Sequence, residues 1–340
     1  MIAYKQFELR DLPEPAVGPH DVLVRVKACG ICGSDVHGMD GSTGRRQPPI
    51  VMGHEAAGVI ERVGDAVTGF RAGERVTFDS TIYNPHSFFS RRGQINLCDD
   101  RRVLGVSCDD YRQNGAFAEF VAVPDHILYA LPPAMTYEQA ALVEPVSIAV
   151  HARNLTSLQA GDAAVVFGAG LIGLMMIQVL KNAGVGAIIA VDIDDAKLAI
   201  ARAVGATHVV NSGAGDPAVA VRALTDGRGA DVAFEAVGIE ATIRAAIACV
   251  RKGGVVTLIG NLARDVSIPL QALVTRQIRL QGSCASAGEY PECLDLIASK
   301  KIDVDRFISA TAPLDEGAKW FDRLYQREPG LMKVILRPDR

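Results

Sequence analysis

The chain has 340 residues, 49% of them hydrophobic and 22% charged, with a net charge of −4. That composition is globular rather than disordered, and at ~150 residues per domain it points to two domains. No basic block is present to meet a phosphate backbone, so nucleic acid is not expected as a partner. Residues 1–15 hold no apolar signal region, and seven cysteines, an odd number, fit a cytoplasmic protein with reduced thiols or a metal site better than a disulfide framework.

Taken in chain order, residues 21–28 alternate, with Val22, Val24, Val26 and Ala28 on one face and Leu23, Arg25 and Lys27 on the other, the period of a half-buried strand. Residues 57–63, 74–79 and 115–124 read the same way, with Gly64, Gly69 and Gly73 as punctuation. Short strands separated by glycines predict a small barrel-like β domain. Near residue 150 the pattern changes to alternating strands and helices. Strands are predicted at Ala163–Phe167, Ala187–Asp192, 207–211, 231–235, 255–260 and 277–281, with helices at 171–183 and Asp195–Val204. Six strands in βαβ order predict a doubly wound parallel sheet. The uncharged stretch 163–180 approaches the length of a membrane span, but Gly168, Gly170 and Gly173 make it a strand, loop and helix, so no membrane association is expected. A helix at 290–299 and a strand at 332–336 follow.

In the β domain, Cys29-Gly30-Ile31-Cys32-Gly33-Ser34-Asp35-Val36-His37 is followed by Gly53-His54-Glu55, and Glu144-Pro145 stands just before the switch of pattern. Zinc takes thiolate, imidazole and carboxylate ligands, and a catalytic ion needs three from the protein and one open position. Cys32, His54 and a carboxylate would supply them. Each residue alone has a plainer reading. Cys29 and Cys32 could be a redox pair, His37 and His54 ordinary histidines, and Glu144 a solvated acid at a helix start.

The run Val165-Val166-Phe167-Gly168-Ala169-Gly170-Leu171-Ile172-Gly173 follows a strand and opens a helix, and Asp192 closes the next strand. This is the dinucleotide fingerprint. Gly168 permits a tight turn, Gly170 lets backbone approach a pyrophosphate, and Gly173 lets helix and strand pack closely. Asp192 can accept from ribose hydroxyls and would repel a 2′-phosphate, so NAD is expected over NADP.

With these motifs, the GAFAEF run from Gly115, the helix ending Val150-His151 and the KVIL strand from Lys333, the chain resembles the zinc-dependent medium-chain dehydrogenases over nearly its whole length, most of all the sorbitol and polyol dehydrogenase branch. The resemblance implies an α/β protein with a GroES-like β-barrel catalytic domain at 1–148, a Rossmann domain at 149–285 and a segment, 286–340, that returns to the catalytic domain. It implies NAD-linked oxidation of a small polyol or secondary alcohol by a homodimer or homotetramer. Cys32 and His54 match zinc ligands, with Glu55 and Glu144 as the two acids that share or alternate in the remaining position. Ser34 and His37 match the two ends of a proton relay through a ribose hydroxyl, and Asp35 a partner of the ligand histidine. Cofactor contacts are implied at Gly168, Gly170, Leu171, Ile172, Gly173, Asp192, Ile193, Lys197, Ile259, Gly260, Asn261, Ser283, Cys284 and Ala285.

Two departures stand out. Relatives hold a structural zinc with four cysteines; here Cys98 aligns with Asn84, Ser87 and Ser90 at the other three places, so one catalytic zinc and no structural zinc is expected. Sorbitol dehydrogenases also carry an aromatic residue after the relay histidine and a late Arg-Tyr pair, where this chain has Gly38 and Ala285-Ser286. A threonine or sugar-acid dehydrogenase, a zinc-free quinone or enoyl reductase, and a non-catalytic NAD-binding redox sensor using Cys29 and Cys32 are the alternatives.

Overall fold

The computed structural model describes residues 1–338; Asp339 and Arg340, at the end of the predicted returning segment, lie outside the described residues. The chain forms two compact units, one made of Met1–Glu144 together with the chain from Ala287 on, the other of Pro145–Ser286. The first boundary falls at Glu144, inside the helix Val143–Asn154 and a few residues before the one expected from sequence.

The first unit begins with β1 (Asp21–Gly30), β2 (Glu55–Val63) and β3 (Arg75–Phe78). Two short ladders follow, β4 (Thr81–Ile82) with β5 (Arg102–Val103) and β6 (Val106–Ser107) with β7 (Arg112–Gln113), and then β8 (Phe120–Pro124) and β9 (Leu128–Ala130). Strand β1 follows the predicted alternation, with Val22, Val24, Val26 and Ala28 fully buried, but Leu23 is buried too and the strand runs on to Gly30. Antiparallel pairing of β1 with β2 slips between Leu23/Val24 and between Val26/Ala28, the irregularities that bend a sheet toward closure. Val22, Val24, Val26, Ile60, Val76, Phe78 and Val123 form the core beneath it, and each fully buried side chain of this size contributes about 1.5–3 kcal/mol.

The second unit has six strands: β10 (Ala163–Phe167), β11 (Ala187–Asp192), β12 (His208–Asn211), β13 (Ala230–Glu235), β14 (Val250–Leu258) and β15 (Arg279–Gly282). Their order in the sheet is β12-β11-β10-β13-β14-β15 with every pair parallel, the doubly wound order in which the chain starts in the middle and winds to both edges. The uncharged 163–180 stretch divides into β10, a glycine loop and the helix Leu171–Asn182. Among the described residues no helix is long and apolar enough to cross a membrane. Two predicted strands shift for local reasons. Residues 259 and 260 leave β14 because both their amides donate to the carbonyl of Glu235. Gln277 cannot begin β15 because it closes the helix Leu270–Arg276 in a left-handed conformation, φ 52°.

From Ala287 the chain is back in the first unit, where the helix Tyr290–Ala298 is followed by β16 (Ile308–Pro313), the helix Gly317–Tyr325 and β17 (Lys333–Arg337). Neither β16 nor that helix is predicted from sequence. Strand β17 pairs antiparallel with β1 and parallel with β16, so the sheet runs β16-β17-β1-β2-β3-β9, with β8 on β1.

Asp231 on β13 joins three strands of the second unit, accepting from Ala163 N at 2.8 Å and Arg251 Nε at 2.6 Å. Burial pushes its carboxyl up, but these hydrogen bonds outweigh burial and hold it below the ordinary 3.8. Its contribution to stability is therefore in place above 3.8 and is lost as pH falls through the lowered value. Asp231→Asn is expected to cost about 1–2 kcal/mol near neutral pH. Thermal melts from pH ~7 down to ~3 check this: the gap to wild type should narrow with acid, and a gap independent of pH would contradict it.

Candidate functional site

The pairing of β1 with β2 places Cys29 opposite Ala56 and Gly30 opposite Glu55. Cys32 stands just past the end of β1 and His54 just before β2, so the register itself brings the two motifs together. Cys32 caps the short helix Gly33–Gly38, its sulfur accepting from Ser34 N at 3.4 Å and Ser34 Oγ at 3.3 Å. Ligand atoms of Cys32, His54 and Glu55 lie within 4.8 Å of one another. Among the described residues this is the one group of three or more His, Cys, Asp or Glu so placed. Gly30 is required by space, since a Cβ there would stand 2.2 Å from Glu55 Oε2.

His54 is 5% and Glu55 1% exposed, so their charges must be answered inside the protein. Oε2 of Glu55 accepts a hydrogen bond from Lys333 Nζ at 2.5 Å, and the same ammonium donates to Ile31 O at 2.9 Å. Burial would lower the Lys333 pKa, but Glu55 and Cys32 outweigh it and raise it. Oε1 of Glu55 is buried with no hydrogen-bond partner. His54 Nδ1 lies 3.5 Å from Asp35 Oδ2, within ion-pair range, yet makes no hydrogen bond. Burial works against the charged imidazole, but Asp35 and Cys32 prevail and hold its pKa well above the usual value. Asp35 is itself held well below the carboxylate range, His54 and Arg46 overcoming its burial. A thiol, an imidazole and a carboxylate with ligand atoms within 4.8 Å of one another, the last carrying a buried unpartnered oxygen, are a donor set that fits a zinc ion.

Glu144 is buried nearby and accepts from Ser80 Oγ at 3.4 Å, but it lies outside the group of three. Burial pushes its carboxyl up to about 7; His54 opposes this, and the neighbouring charges of Glu55 and Asp79 add to it. Ser34 and His37 sit one turn apart on the short helix, and burial with the nearby Arg327 lowers the His37 pKa. Cys29 is fully buried, and burial raises its thiol well above the ordinary range, the opposite of a reactive redox cysteine. Asn84, Ser87, Ser90 and Cys98 do converge: Asn84 N donates to Cys98 Sγ at 3.3 Å and Ser87 Oγ to Ser90 Oγ at 2.9 Å.

In the second unit Gly168 turns the chain at φ +92°. A Cβ on Gly173 would meet Gly168 O at 1.7 Å, whereas one on Gly170 would meet nothing within 4 Å. Gly170 caps the helix beginning at Leu171 and Ile172 without using a side chain, leaving first-turn amides for a ligand. Asp192 ends β11. Its Oδ2 accepts from Ala169 N at 2.7 Å, and Oδ1 from Ile193 N at 2.8 Å and Asp194 N at 3.1 Å, so it ties the glycine loop to the strand end. Ile193 is 76% exposed and Lys197 is exposed. Ile259, Gly260 and Asn261 follow β14, and Ser283, Cys284 and Ala285 follow β15. Ser283 Oγ is buried without a partner, Cys284 is exposed, and Ala285 is left-handed at φ 53°.

Sequence reading missed Lys333 and Arg46. Lys333 had a visible signal, a lysine opening an otherwise apolar strand, where an unpaired ammonium is not tolerated. Arg46 sits in a loop with no pattern to mark it.

Residues 18–133 match the alcohol dehydrogenase GroES-like domain family, and residues 172–299 match the zinc-binding dehydrogenase family. A sorbitol dehydrogenase of Bacillus subtilis (strain 168) is 32% identical over 99% of this chain and 95% of its own length. A protein described as a probable D-xylulose reductase A of Aspergillus fumigatus is 36% identical over 93% of this chain and 89% of its own. A solved zinc-binding dehydrogenase structure from Sinorhizobium meliloti 1021, bound to NADP, superposes with a TM-score of 0.90 at 31% identity, covering 99% of this chain and 97% of that one. The chain belongs to the zinc-binding, GroES-like medium-chain alcohol dehydrogenases.

Proposed function

We propose that the protein oxidises a small polyol or other secondary alcohol to a ketone, with one zinc ion per subunit and NAD. The observation that carries this reading is the Cys32–His54–Glu55 group, its histidine and glutamate buried, with the unpartnered Glu55 Oε1. When bound, zinc acts as a Lewis acid on the substrate hydroxyl and the nicotinamide accepts the hydride. Glu55 is the third ligand, since Glu144 lies outside the group of three. Ser34 accepts the substrate proton as it gives up its own, and His37, whose pKa burial and Arg327 lower, releases a proton to solvent. Asp192, already fixed by three amides, receives ribose hydroxyls and disfavours a 2′-phosphate. The serine-rich 84–98 segment takes no second zinc, its polar groups pairing with one another and with the lone Cys98. The sorbitol and xylulose names of the relatives point to a polyol, while Gly38 and Ala285-Ser286 argue against sorbitol itself. A cytoplasmic homodimer or homotetramer completes the reading.

NAD-reduction assays across polyols, diols, sugar acids and simple secondary alcohols, with zinc measured in the same preparation, test the reading; no activity on any of them would refute it. Cys32→Ala should lose zinc and turnover together, and a variant that keeps both would remove Cys32 from the site. Glu55→Gln should weaken zinc about 10–100-fold while Glu144→Gln weakens it less, and the reverse order would exchange their roles. Asp192→Ala should reduce the NAD over NADP preference in kcat/KM by about tenfold, the equivalent of ~1.4 kcal/mol; an unchanged ratio would contradict the ribose role.

A further inference from the structure

Arg46 lies outside every motif, yet it is 3% exposed and beside the metal group. Its Nε and Nη2 donate to Asp35 Oδ1 at 3.1 and 2.9 Å, Nη2 lies 3.3 Å from Ser34 Oγ, and Nη1 donates to Arg45 O at 3.2 Å. Its backbone is held by a bridge to Ser107, whose hydroxyl both accepts from Gln47 N and donates to Gln47 O at 2.7 Å. A Cβ on Gly38 would stand 2.5 Å from Arg46 Cγ, so the arginine stem occupies the space where a side chain at position 38 would begin.

A guanidinium only donates. Holding Oδ1 of Asp35 from two nitrogens, it leaves Oδ2 turned toward His54 Nδ1 at 3.5 Å and Cys32 N at 3.4 Å. Donation to Ser34 Oγ fills an acceptor position on that oxygen, so the serine proton points away from Arg46, and Cys32 Sγ lies 3.3 Å off. We infer that Arg46 is a positioning residue: it fixes Asp35 against the ligand imidazole and sets the direction of the Ser34 hydroxyl, and position 38 is glycine to make room for it. The inference rests on Cys32, His54 and Glu55 being zinc ligands, which Cys32→Ala tests separately.

Zinc release to a chelator, measured on the full zinc-loaded chain, tests it. Arg46→Ala should lose zinc about 10–100-fold more readily. Arg46→Lys should recover part of that loss, keeping the charge without the two-nitrogen grip, and should lower kcat without raising the KM for NAD. Gly38→Ala should weaken zinc retention when Arg46 is present and have a clearly smaller effect in the Arg46→Ala background, because the 2.5 Å clash with Cγ is then gone and only the milder contacts with the Cβ of residue 46 at 3.3 Å and Thr43 Oγ1 at 3.4 Å remain. Wild-type zinc retention in Arg46→Ala overturns the inference, and so does an equal effect of Gly38→Ala in both backgrounds. If melting shows Arg46→Ala unfolded, Arg46→Lys and Gly38→Ala decide alone, and wild-type zinc retention in both overturns it. Retained zinc in Cys32→Ala would instead overturn the ligand assignment, while zinc lost there but held in Arg46→Ala sinks the Arg46 role alone.

Discussion

The catalytic unit is organised around one buried ion pair, Lys333 with Glu55, both about 1% exposed. A charge that far from water costs several kcal/mol unless it is met by another charge and by hydrogen bonds, and removing either partner strands the other at a cost of about 3–5 kcal/mol. Much of the surrounding architecture follows from that demand. Strand β17 must lie on β1 to deliver the lysine, and Gly30 must lack a side chain to leave room for the carboxylate. With Oε2 held by the ammonium, Oε1 is left buried with no hydrogen-bond partner. The ion pair orients the carboxylate as well as neutralising it.

The two sites are built on opposite plans. Dinucleotide elements lie within a short stretch of chain: a strand, a glycine turn, a helix start and an acid at the next strand end, with Asp192 bonded to Ala169 across the sheet. The metal group is assembled from remote pieces, Cys32 from the end of β1, His54 and Glu55 from the start of β2, and Lys333 from the returning strand. Asp35 and Arg46 form a second ring of charge behind it, so the imidazole, the carboxylate and the guanidinium are buried as a set rather than singly.

This difference explains what was readable in advance. The six strands of the sheet, the glycine turn and Asp192 are local patterns with fixed periods, and the structure places them within a few residues of expectation. Strand β1 was legible through Val22, Val24 and Val26. Strand β16 was not, because its alternation carries Ser309 and Thr311 rather than large apolar residues, and its partner is chosen by tertiary packing. The helix Gly317–Tyr325 was legible in principle through Trp320, Phe321 and Leu324. Motif spacing named Cys32, His54 and both acids, but only register and packing separate Glu55 from Glu144 and bring in Lys333 and Arg46.

The placement of Lys333 also fixes an order of events during synthesis. Its contact with Ile31 spans 302 positions of chain. At about 5–20 residues per second, roughly 15–60 s pass between translation of Cys32 and that of Lys333. The contiguous nucleotide unit ends at Ser286, 47 residues before that lysine, so its synthesis is finished roughly 2–9 s earlier. During that interval Cys32, His54 and Glu55 are already synthesised while the ammonium that holds Glu55 Oε2 is not, so the buried carboxylate has no counter-charge until the last strand arrives.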